Sequence, residues 1–101
     1  MDTIEDSLRS SILEFAERLK NKYPVLHIYL FGSYAKGIPD EWSDIDLAVV
    51  IDNDDPDSRD IYSMAKDLDL RFDALSFSSS DFEHSSLPII PKIKSEGVQI
   101  V

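Results

Sequence analysis

The 101-residue chain has no cysteine, which removes disulfide frameworks and thiolate metal sites from consideration. Glycine is scarce too, with three residues at 32, 37 and 97. "GSYAKG" at 32–37 has the glycine spacing of a P-loop, but Ile38 and Pro39 follow where that loop needs Lys and Ser or Thr. Gly32 and Gly37 do not make G-x-G-x-x-G, and Ser33 lacks a G-x-S-x-G elbow, with only His27 and His84 to serve as its base. Basic residues are few: ten Lys and Arg stand against twenty Asp and Glu, for a formal charge of −10. That charge repels phosphate backbones, so direct binding of nucleic acid is not expected; it suits solubility or a basic partner. No apolar run approaches the roughly 20 residues of a membrane helix. The N-terminus "MDTIEDSLRSSILEF" is acidic and amphipathic, unlike a signal peptide, so a cytoplasmic protein away from membranes is expected.

What is present reads as one globular domain over residues 1–101, with 43% apolar residues to build a core. Ile4, Leu8, Ile12, Phe15, Ala16 and Leu19 recur at helical spacing, which predicts an amphipathic helix from residue 3 to about 22, capped by Asp2 or Thr3 and ended by Pro24. "VLHIYLF" at 25–31 predicts a strand that stops at Gly32, and "SYAKG" the start of a short helix. "DIDLAVVI" at 44–51 predicts a second strand, too apolar for an exposed edge. After the polar turn at 52–60, Ile61, Met64, Ala65 and Leu68 mark a helix to about Leu70. That turn is no EF-hand loop, since Asp57 and Ser63 occupy the positions needing Gly and Glu. "RFDALSF" at 71–77 alternates as a third strand, with Asp73, Leu75 and Phe77 on one face. "SSSDFEHSS" reads as a loop or a turn of helix. Leu87, Ile90 and Ile93 then suggest a short helix interrupted by Pro88 and Pro91, and "GVQIV" a closing strand.

Asp46 is the residue that demands an explanation, because the next five residues are Leu47, Ala48, Val49, Val50 and Ile51. An unpaired charge in a buried strand costs several kcal/mol or takes up a proton. Residues two apart on a strand share a face, so Asp44 and Asp46 point the same way, with Cα atoms about 6.5–7 Å apart. If the third strand lies beside the second, Asp73 joins them, and three such carboxylates call for a cation. Mg²⁺ takes oxygen ligands of this kind, and two ions would activate an attacking oxygen and stabilise the leaving one. A strand ending at Gly32 and turning into a helix at Ser33 aims backbone N–H groups at an anion, with the Ser33 hydroxyl and Lys36 close by. The expected ligand is a metal-bound nucleoside triphosphate. Each residue also has a plainer reading: Asp44 as a turn residue, Asp73 as a solvent-facing residue or a partner of Arg71, and His27 as a packed or outward-facing residue. His84, Trp42 and Tyr34 stand with His27, although Trp42 or Tyr34 would also suit the face of a base.

Gly32-Ser33, ten residues, then Asp44-Ile45-Asp46 resembles the G-S-x₁₀-D-x-D signature of the minimal nucleotidyltransferases, a branch of the DNA polymerase β-like superfamily. The preceding helix, the "RFDAL" strand and the closing "EGVQIV" extend the resemblance to nearly the whole chain. It implies an α+β, two-layer nucleotidyltransferase fold with a mixed sheet packed against helices. It implies that Asp44, Asp46 and Asp73 are the catalytic and metal-holding residues, and that Gly32 and Ser33 hold the triphosphate. The implied activity is Mg²⁺-dependent transfer of a nucleoside monophosphate, with ATP as the expected donor, to a hydroxyl. With the chain used up by this core, the acceptor is expected on another chain. In that family the partner is typically a HEPN-domain ribonuclease toxin, which the nucleotidyltransferase counters as an antitoxin by adenylylating a tyrosine. Two alternatives are a non-catalytic antitoxin acting by sequestration and a small-molecule nucleotidyltransferase of the aminoglycoside type.

Overall fold

The computed structural model describes residues 6–38 and 43–101. The first helix, α1 (Asp6–Lys20), buries Ile12, Phe15, Ala16 and Leu19, the stripe its spacing predicts. It is followed by β1 (Val25–Phe31), the one-turn α2 (Ser33–Lys36) and β2 (Ile45–Ile51). Helix α3 (Ser58–Leu68) starts where the Asp57 carboxylate accepts the Asp60 N–H at 3.1 Å, and it leads into β3 (Phe72–Ser78). The chain closes with α4 (Ser79–His84), α5 (Ile89–Glu96) and the two-residue β4 (Val98–Gln99). The N-terminal cap and the start of the first predicted helix lie outside the described residues.

The strands form one mixed sheet in the order β3-β2-β1-β4. β1 runs antiparallel to β2 and to β4, whereas β2 and β3 are parallel and joined by α3 in a β-α-β crossover. β2, the most apolar strand, is interior, as its composition requires. Its alternate residues feed two cores. Leu47, Val49 and Ile51 meet α1, α3, Phe72 and Ala74 on one face, where the Phe15 and Phe72 rings are 6.1 Å apart. Ala48 and Val50 meet Phe31, Phe82, Ile90 and Ile93 on the other, beneath α4 and α5.

Two expectations are corrected. α5 is continuous from Ile89 to Glu96, with Pro88 as its N-cap residue and Pro91 in its first turn. The amides missing there are ones that no helix bonds internally, so the prolines start the helix rather than interrupt it. β2 begins at Ile45, whose N–H donates to the Arg71 carbonyl at 2.7 Å, so Asp44 precedes the strand instead of lying in it. Among the described residues, no helix is long and apolar enough to cross a membrane.

Candidate active site

The predicted carboxylates and the glycine-serine turn gather at one end of the sheet. Phe31 pairs with Asp46 across β1 and β2, and Asp46 pairs with Asp73 across β2 and β3. Gly32, the next residue after Phe31, has φ 75°, a left-handed conformation that glycine adopts freely. A Cβ at Gly32 would lie 2.3 Å from the Asp46 Oδ2, so the bare backbone is what makes room for this carboxylate. Ser33 opens α2, where the Lys36 N–H donates to the Gly32 carbonyl at 3.2 Å. Gly37, also left-handed, ends it.

Asp46 is half-buried on the sheet face that carries Ala48 and Val50. Burial, then Asp73, then Asp44 push its carboxyl above the usual carboxylate range, and Lys92 of α5 partly opposes them. The order of these causes shows that desolvation and crowding of like charge act together at one point. An all-carboxylate oxygen set with excess negative charge suits a hard divalent cation. Among the described residues, however, no three acidic or histidine side chains are grouped closely enough to form a ready metal cage.

Lys36 extends its ammonium to Glu96 of α5, with Nζ 3.4 Å from Oε2 in an exposed pair. Arg71 does not serve Asp73: its Nη2 lies 2.9 Å from Asp69 Oδ2, and its Nη1 donates to the Tyr34 hydroxyl at 3.3 Å. That leaves the solvent-facing alternative for Asp73 weaker as well, since its residue is half-buried and in register with Asp46. His27 is remote, pairing with Val50 toward the other end of β1 and sitting 3.2 Å from the Gln99 amide nitrogen. His84 is exposed beside Glu83. Trp42 lies outside the described residues. Lys92 is the charged neighbour that the sequence reading missed. Its only signal was its place between Ile90 and Ile93, in a helix that the two prolines disguised.

Residues 12–96 match the family described as nucleotidyltransferase domain. The chain belongs to that family. A relative from Methanocaldococcus jannaschii, provisionally named a protein adenylyltransferase, is 36% identical over 70 residues, covering 67% of this chain and 48% of its own. The chain therefore spans about half the length of that curated relative. Among solved structures, a toxin-antitoxin crystal structure with AMP-PNP contains a chain of like fold, with TM-score 0.68 and 22% identity over 92% of this chain and 72% of that one. A second is a tri-AMPylated Shewanella oneidensis HEPN toxin in complex with an MNT antitoxin, with TM-score 0.52 and 22% identity over 90% and 71% of the two chains. At that identity the two structures establish the shared fold.

Proposed function

We propose that this chain transfers a nucleoside monophosphate, AMP from ATP, to a hydroxyl of a HEPN-domain protein, and that it acts in the cytoplasm as the antitoxin of that protein. The observation that carries the proposal is the alignment of Gly32, Asp46 and Asp73 across three adjacent strand ends. Support also comes from the family match and from a relative named as a protein adenylyltransferase.

In this reading the Gly32 and Ser33 N–H groups, the Ser33 hydroxyl and Lys36 hold the triphosphate, with Lys36 exchanging Glu96 for phosphate oxygens. Asp44, Asp46 and Asp73 would hold Mg²⁺, two ions in the expected form, whose chemistry when bound is Lewis-acid neutralisation of phosphate charge. Asp73 accepts the proton of the acceptor hydroxyl. The acceptor oxygen forms a bond to the α-phosphorus as the bond to the bridging oxygen breaks, and pyrophosphate leaves. The test is intact mass of a HEPN-domain protein after incubation with this chain, ATP and Mg²⁺. A gain of one or more AMP units is expected, and an unchanged mass contradicts the reaction.

A second reading is a binding module that neutralises its partner by sequestration, for which the formal charge of −10 would suit a basic partner without any chemistry. Full neutralisation by a variant with Asp44, Asp46 and Asp73 all changed to Asn would select it.

A further inference from the structure

The reaction as proposed leaves one surface of the molecule unused. β3 is the outermost strand on its side of the sheet, so its outer backbone N–H and C=O groups have no strand beside them among the described residues. Along this edge runs a groove of about 610 Å³. Its floor is Leu75, Ser76 and Phe77 of β3, one wall is α3 with Arg59 and Tyr62, and the other is Ile89 at the start of α5. The Ser76 and Ser58 hydroxyls, 2.8 Å apart, tie floor to wall. Tyr62 is 45% exposed, Leu75 38% and the adjoining Leu87 51%. A single chain normally hides or charges such an edge, so exposed apolar side chains around it mark a place for a partner.

The groove lining reaches Ala74, the residue after Asp73 on β3. Asp73, Leu75 and Phe77 stand on one face of β3, the face that also carries Asp46. A segment lying along β3 travels from Phe77 to Asp73 in four residues, about 13 Å. Charge decides what the segment is. A second copy of this chain would bring together two bodies of formal charge −10, which disfavours self-pairing. Asp57 and Asp73 are the chain neighbours of the lining residues Ser58 and Ala74, and together with the formal charge of −10 they favour a basic segment, although Arg59 stands in the wall.

We propose that this groove docks an extended segment of the acceptor protein, apolar at alternate positions and flanked by Lys or Arg, as a strand added to β3. The added strand leads its hydroxyl-bearing residue to Asp73. This inference rests on the transfer reading above and names the surface by which the acceptor is recognised. Backbone pairing with β3 supplies affinity, while Tyr62, Leu75 and Ile89 select the apolar residues.

The experiment uses the full chain, Leu75→Lys and Tyr62→Glu, with a HEPN-domain protein as the probe. Thermal melts establish that each variant is folded, and calorimetry measures its affinity for the HEPN-domain protein and, separately, for ATP. Each variant is expected to bind the protein at least about tenfold more weakly while ATP affinity stays at the parent value. A benzophenone side chain at position 62 is expected to crosslink to the HEPN-domain protein, which reads occupancy even if a substitution unfolds. The proposal is overturned by unchanged protein affinity in the folded variants, by a parallel loss of ATP affinity, by no crosslink, or by a parent that does not bind the protein. A parent dimer that both variants dissolve also overturns it, by assigning the groove to a second copy. If the parent binds the HEPN-domain protein and leaves its mass unchanged, the transfer reading fails, and the groove is judged on the binding comparison alone.

Discussion

At the scale of single residues, the candidate site is a compromise between a half-buried carboxylate and a glycine that yields it space. Asp46 has its carboxyl raised by burial, Asp73 and Asp44. A raised value in the folded state means that the fold favours the protonated form. Its contribution to stability is therefore greatest in acid and falls as pH rises from the ordinary carboxylate range through the raised value. In metal-free buffer, Asp46→Asn removes the crowded charge, so it is expected to raise Tm at neutral pH and to leave Tm unchanged in acid. A lower Tm at neutral pH would contradict this electrostatic account. Gly32→Ala meets two obstacles, a φ of 75° and an approach of 2.3 Å to Asp46 Oδ2. The backbone strain alone costs about 1–3 kcal/mol. A melting point roughly 4 °C lower or more is expected, together with loss of nucleotide transfer. An unchanged melting point would show that the turn relaxes at no expense to the fold.

At the scale of elements, the crossover β2–α3–β3 builds the candidate site, because it places Asp46 and Asp73 in register on parallel strands. α3 is in turn tied to the segment after α1. The Asp60 carboxylate accepts from Lys22 at 2.6 Å and from the Tyr23 hydroxyl. The Lys22 contact, then the Tyr23 one, hold Asp60 below the usual carboxylate range, while the same Asp60 bond pushes the Tyr23 phenol up to about 12. For a lowered carboxylate the stabilisation is complete above its unfolded value and is lost as pH falls through the folded one. Asp60→Asn is expected to lower Tm at pH 7, with parent and variant converging in acid. Equal melting points at pH 7 would mean that the solvent-facing cluster contributes nothing. Much of this architecture was legible from periodicity, because α1, α3 and the three long strands each bury a regular stripe or an unbroken apolar run. Asp46 was legible for the opposite reason, as a charge that the run could not tolerate alone. The start of β2 was not legible, since it is set by the bond from Ile45 to the Arg71 carbonyl, a contact between distant segments. α5 escaped because Pro88 and Pro91 look like breakers until they are placed at a helix start, and Lys92 was hidden with it.

At the scale of the whole molecule, a chain of formal charge −10 carries a cluster of carboxylates at one sheet end and an apolar groove at the neighbouring sheet edge. The family match spans residues 12–96, which takes in the glycine-serine turn, all three aspartates and β3. The central claim is that this sheet end performs nucleotidyl transfer, and the most direct measurement is pyrophosphate release. It is followed with ATP, Mg²⁺ and a HEPN-domain protein, for the parent and for Asp46→Asn side by side. The account predicts steady release by the parent, its loss on chelation of the metal, and a rate at least about a hundredfold lower for Asp46→Asn. Equal rates in parent and variant would contradict it.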